Sequence, residues 1–146
     1  MKPAYVFVLI TCLGFASCAN KSKQETLSEP ADNAETEILE NEVNRVHDEV
    51  MSRMGEIYTW KNKLKALDTT ASLTPEKKRE VELAILKLDS AYDGMMDWMH
   101  KYKPEEHNTE AETAREYLED EMEKIKLIGE KTQEALDKAK TVASTQ

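Results

Sequence analysis

Two stretches of this chain gather side chains able to hold a soft metal ion. One is His47-Asp48-Glu49-Val50-Met51-Ser52-Arg53-Met54, and the other is Ala91-Tyr92-Asp93-Gly94-Met95-Met96-Asp97-Trp98-Met99-His100. On a helix, residues three and four apart are neighbours, so His47, Met51 and Met54 share a flank, as do Met96 and His100. If the two helices run antiparallel, His47 comes near the level of Met95. Thioether and imidazole groups are the ligands that Cu(I) selects, which makes His47, Met51, Met54, Met95 and Met99 the candidate metal set. The competing reading is packing. Met95 and Met99 fall where an apolar residue is due, and methionine fills such places adaptably. His47 borders the same stripe and could hydrogen-bond a carboxylate.

A second set is electrostatic. Arg53 and Glu121 each stand where the apolar pattern expects a hydrophobic residue. With helix ends levelled across the loops, Arg53, Asp89 and Glu121 share a layer. A charge in an apolar seam is costly unless paired, and a paired one can set register. The expectation is an Arg53–Glu121 contact shared with Asp89; the alternative is that Arg53 snorkels outward and touches neither. Signals for catalysis are missing: the chain has no GxSxG, HExxH, CxxC or glycine-rich phosphate loop. No enzymatic activity and no cofactor are therefore expected, beyond a covalent lipid.

That lipid would sit on Cys18. Residues 1–18 read MKPAYVFVLITCLGFASC, with a positive start at Lys2 and an apolar run from Ala4 to Leu13. Roughly 10–12 apolar residues suit an export signal and are too few to span a bilayer. Phe15-Ala16-Ser17 before Cys18 resembles a lipobox, whose cysteine thiol receives a diacylglyceryl group; Phe15 departs from the aliphatic residue usual there. Ordinary secretion with cleavage after Gly14-Phe15-Ala16 is the alternative. Residues 1–17 are read as the signal peptide and 18–34 as the lipidated cysteine with a polar tether. Acyl chains contribute about 0.8 kcal/mol per buried carbon, so several would hold the protein on its membrane. Lys21 and Lys23 follow the cysteine instead of an acidic run, which favours an outer-membrane anchor facing the periplasm. With Cys12 inside the removed segment, no disulfide is available and packing alone must stabilise the fold.

The remaining residues, 35–146, must supply the elements. Charged residues make up 34% and hydrophobic ones 40% of 146, with 6% aromatic, a balance that suits long helices with narrow apolar seams. Four Gly and four Pro are too few for an all-β chain. Pro75 and Pro104 divide the sequence into three. Leu39, Val43, Val46, Val50, Ile57, Trp60, Leu64 and Leu67 form the first seam, in steps of three and four. Thr74-Pro75 opens the second helix as a capping residue followed by proline. Its seam reads Val81, Ile85, Leu88, Tyr92, Met95, Met99 and Tyr102. A capping box, Thr109 with Glu112, opens the third, with Ala114, Leu118, Ile125, Ile128, Thr132, Ala135, Ala139 and Val142. Gly129 levels with Trp60 and is expected to make room for its indole. Short loops make consecutive helices antiparallel neighbours, which predicts an all-α, coiled-coil-like up-down-up three-helix bundle. A helical hairpin that completes its core by oligomerising is the rival, because the Ala-rich third seam is thin.

Charge narrows the partners. The whole chain carries -9, and removing Lys2, the only charge in residues 1–17, leaves -10. Such a surface repels phosphate backbones, so nucleic acid is not expected. A membrane through the anchor, and a protein partner or a second copy, are the interactions left.

The strings His47-Asp48-Glu49-Val50-Met51 and Met95-Met96-Asp97-Trp98-Met99, with Tyr117-Leu118, resemble a family of small lipoproteins of the Bacteroidota. Some of its members carry the name viral A-type inclusion protein, a label that generic coiled-coil similarity accounts for. The resemblance spans about residues 43–140. It implies a helical protein of the cell envelope and brings no catalytic residues. A weaker likeness is to periplasmic chaperones of the Spy and CpxP type, through a single Leu73-Thr74-Pro75-Glu76-Lys77 that lacks their glutamine. The expected function is thus a non-enzymatic envelope lipoprotein that presents a helical bundle for protein interaction. Copper binding or a Spy-like chaperone role is the alternative.

Overall fold

The computed structural model describes residues 29–70, 73–107 and 110–145. The leader 1–17, Cys18 and Thr109 of the expected capping box lie outside the described residues. The elements are α1 (Glu29–Met51), α2 (Met54–Thr70), α3 (Pro75–Lys101), α4 (Pro104–His107) and α5 (Ala111–Ser144). They close one up-down-up bundle in which α1 with α2, α3, and α5 are the three main rods. The closed bundle, rather than the hairpin, is the architecture. Among the described residues no helix is long and apolar enough to cross a membrane.

Helix ends follow local chemistry. Thr74 caps α3, its hydroxyl accepting from the Lys77 N–H at 3.2 Å, and Pro75 takes the first position, where its missing N–H costs nothing. α1 begins at Glu29, earlier than the expected Glu35, so the backbone of residues 29–34 is helical rather than tether. Glu110 holds the cap position of α5 with no side-chain capping bond, and Glu112 pairs with Arg115 instead.

The first rod is interrupted at Ser52-Arg53. The Ser52 hydroxyl donates to the Glu49 carbonyl at 2.7 Å, the acceptor that the Arg53 N–H would use in a continuous helix. Arg53 N–H bonds the Val50 carbonyl instead, a three-residue step. Serine competition for a backbone acceptor bends helices in this way. Met54, buried, then takes the apolar place that Arg53 skips.

The core runs through Val43, Ile57, Leu64, Val81, Leu88, Met95, Ile125, Leu136 and Ala139. The first and third seams stand as the spacing predicts. On α3 the buried line is Val81, Ala84, Leu88, Ala91, Met95 and Trp98, while Tyr92 (44% exposed) and Met99 (39%) turn outward. The expected and observed lines share Val81, Leu88 and Met95. They differ because α3 packs against both α2 and α5, and its small Ala84 and Ala91 admit close approach that larger residues would block. Gly129 also has a different neighbour: a Cβ there would meet Val50 Cγ2 at 3.2 Å, so the glycine accommodates Val50 and not Trp60.

The expected charged layer does not form. Arg53 Nη1 donates to Gln133 Oε1 at 2.6 Å, and Nη2 to Glu49 at 3.1 Å. Glu121 is 4% exposed and bonds Lys124 at 2.7 Å, while Asp89 pairs with Lys61. Arg53 therefore lies roughly three helical turns beyond Glu121 along α5. Helix ends are not level across the second connection: Tyr117, well inside α5, meets Lys103 just after α3 ends. The first turns of α5 overshoot α3 and are covered by α4, which displaces every residue downstream.

Candidate functional site

The end of the bundle where α1, α3, α4 and α5 meet is built from rings. Trp98 and Tyr102, four residues apart at the end of α3, lie over one another by helix geometry and stack at 4.7 Å between centroids, 18° apart in plane. α1 adds His47, whose ring is 5.9 Å from Trp98. α5 adds Tyr117, 6.2 Å from Tyr102, and α4 lays His107 on Tyr117 at 4.1 Å and 9°. Five rings thus form a continuous ladder from α1 to α4. Such pairs contribute about 0.5–1.5 kcal/mol each beyond their burial. The Tyr117 hydroxyl also accepts the Lys103 backbone N–H at 2.7 Å, tying the chain after α3 to α5.

Polar atoms inside the ladder are incompletely satisfied. Trp98, 5% exposed, keeps its Nε1–H buried without an acceptor, and the Tyr102 hydroxyl is buried without a partner. Burial pushes the Tyr102 phenol up to about 12, and the carboxylates of Glu40, Glu121 and Glu105 reinforce the shift. Tyr117 is raised as well, by burial first; the Lys103 hydrogen bond opposes this, and Glu121 adds to it.

Hollows flank the ladder. Thr36 and Glu40 of α1, Pro104 and Glu105 of α4, and Ala114, Tyr117 and Leu118 of α5 enclose about 240 Å³. Between α3 and α5, a groove of about 340 Å³ lies open over Gly94 and Trp98, with Leu127 and Ile128 on its far wall. A third, between α2 and α3, is flanked by the exposed Tyr58 and Tyr92 around the Lys61–Asp89 pair.

The five candidate metal ligands are differently placed. Met95 is fully enclosed in the core and Met54 nearly so, Met51 packs at the edge, and Met99 is exposed. His47 is partly buried, its Nδ1 2.9 Å from Asp48 and its ring against Trp98. The structure thus gives His47 an indole neighbour. Among the described residues no three His, Cys, Asp or Glu side chains are grouped to hold a metal ion. Arg53, Asp89 and Glu121 go to separate partners, as described above.

The helical spacing places Tyr102 in the second seam but does not join it to Trp98, Tyr117 and His107. The i, i+4 spacing of Trp98 and Tyr102 was a usable signal. Nothing local announces that α4 folds His107 onto Tyr117. Compared with protein-family models, with curated proteins and with solved structures, the chain finds no match.

Proposed function

We propose that this chain is exported and lipid-anchored through Cys18, and that its bundle is a non-enzymatic docking module for a protein partner in the cell envelope. The observation that carries the address is the order of elements: Lys2, the apolar run, Ala16-Ser17-Cys18, a polar stretch and then an acidic helical bundle. The outer faces suit docking. Tyr58 on α2 and Leu127 on α5 expose large apolar side chains beside the grooves, and Leu83 and Leu86 are exposed on α3. Exposed apolar surface rimmed by charge marks interaction sites.

Two experiments test the two halves. Metabolic labelling with an alkyne fatty acid should tag the wild-type chain and leave Cys18→Ala untagged; equal labelling of both, or of neither, refutes the anchor. Proximity crosslinking in intact cells should recover a reproducible protein neighbour in the envelope. An absence of any such neighbour above a lipid-anchored control refutes the docking role.

A further inference from the structure

On the outer face of α3, Leu83, Leu86, Ser90 and Asp97 are exposed and Gly94 is half-buried among them. The steps between these residues are three, four, four and three, which keeps them on one side of the helix. That spacing reads the same from either end, with Ser90 at its middle. Its two halves differ in relief. Leu83 and Leu86 project as an apolar pair, whereas Gly94 and Asp97 border the groove of about 340 Å³ between α3 and α5. Gly94, Asp97, Trp98 and Lys101 line the α3 side of that groove, and Leu127 and Ile128 line its far wall. A Cβ at Gly94 would meet nothing within 4 Å, so the groove has room there that this chain leaves unfilled.

Charge on the bundle is sorted along the same axis. Residues 33–51 and 89–130 form the end that holds the groove; they carry 19 Asp and Glu against 6 Lys and Arg. Residues 52–88 and 131–145 form the end that holds Leu83 and Leu86, and carry 7 against 11. The projecting leucines thus stand in the basic half, and the recess stands in the acidic half.

We infer that this face is an interface between two copies of the chain, their α3 helices antiparallel and the twofold axis passing at Ser90. A twofold interface is self-complementary: where residue i meets j, j meets i. About Ser90, position 83 is level with 97 and position 86 with 94, so the leucines of each copy come onto the recessed half of the other. Gly94, Asp97, Trp98 and Lys101 are spaced i, i+3, i+4 and i+7, the hole into which a facing helix inserts one knob. Leu83 of the second copy is that knob, with Leu127 and Ile128 closing around it, and Leu86 meets the turn from Ser90 to Asp97. The Asp97–Lys101 pair, at 2.7 Å and exposed, supplies a polar rim. Charge sets the direction. Antiparallel pairing lays each acidic half on the other copy's basic half, whereas parallel pairing would bring the two acidic ends together. The inference rests on the docking reading only in taking the α3–α5 groove as an interface, and it names the occupant.

The test is disulfide trapping on the full chain purified in detergent. Ser90→Cys places a thiol on the twofold axis, where its own copy faces it within disulfide reach. Asn62→Cys, exposed on α2, is the collision control, and the wild-type chain gives the background from Cys12 and Cys18. Mild oxidation should convert Ser90→Cys to a covalent dimer, with a yield about tenfold above both. Adding Leu83→Glu should weaken the association by about tenfold, whereas adding Ile38→Glu, an equally exposed apolar site on α1, should leave it within about twofold. Both positions are on the surface, so neither substitution disturbs the core. Equal yields from Ser90→Cys and Asn62→Cys would mean random collision and overturn the inference. Equal weakening by the two glutamates would mean unspecific apolar clustering and overturn it too. Self-pairing is read on the purified chain, so its failure leaves the envelope crosslinking experiment to decide the docking role, and the converse holds.

Discussion

Around Leu64, Val81, Leu88 and Leu136 the bundle interior is aliphatic, with alanines at 84, 91, 135 and 139 letting the rods approach; the hollow beside it, at the Lys61–Asp89 pair, lies between α2 and α3. Around Trp98 and Tyr117 it is aromatic: rings bridge four elements, and hollows open on either side. Close-packed aliphatic layers leave no room for a ligand and convert burial into stability. Large flat side chains span gaps that backbones do not close, so the aromatic end keeps both wedge and cavity. Stability should therefore reside mainly in the first region and recognition in the second.

The largest effect should come from the aliphatic region. Leu136→Ala, at 1% exposure, should lose about 2–5 kcal/mol by urea denaturation, with the slope unchanged. A loss under about 1 kcal/mol would break the contrast, since it would mean the layers collapse without cost. Thr132 is fully buried in that region with an unpartnered hydroxyl, and Asp68 Oδ1 is likewise buried without a partner. Thr132→Val should stabilise by about 1–2 kcal/mol in the same assay, because the shape is kept and the unsatisfied hydroxyl goes.

In the aromatic region two conservative variants should diverge. Tyr117→Phe removes the acceptor of the Lys103 N–H and should cost about 1 kcal/mol, whereas Tyr102→Phe removes a hydroxyl that bonds nothing and should be neutral or mildly stabilising. Equal effects would show that the rings and not their hydroxyls decide. Alkaline pH separates them further. The Tyr102 phenol is held near 12 in the fold, against the ordinary 10 of an unfolded tyrosine. Between those values the unfolded chain has released its proton and the folded one has not, so the unfolded state gains. Stability is thus unaffected by Tyr102 below pH 10 and falls from 10 to 12, and Tyr102→Phe should flatten that part of the decline.

The smallest effects concern two helical glycines. A Cβ at Gly94 meets nothing within 4 Å, so Gly94→Ala should gain the helix-propensity difference of about 1 kcal/mol. At Gly129 the added methyl would press on buried Val50, and the gain should vanish or reverse. Thermal melting of the pair checks both. A gain of similar size at each would mean that α1 and α5 are less closely seated than Gly129 implies.

The residues themselves determined the three-rod division at Pro75 and Pro104, the Thr74 cap and the first and third seams. All of these depend on local order and helical period, which travel with the chain. Register did not. Whether Arg53 meets Glu121 or Gln133 depends on how far α5 overshoots α3, and that is set by α4 folding onto Tyr117. The break at Ser52 was unannounced as well, because a serine hydroxyl takes a backbone acceptor only when its rotamer and the packing of the rod allow it. On α3, periodicity permitted two seams sharing Val81, Leu88 and Met95, and only contact with two neighbouring rods chose the one through Ala84, Ala91 and Trp98. The ring ladder follows from that choice through Trp98: it joins residues far apart in sequence, and no local period encodes such a meeting.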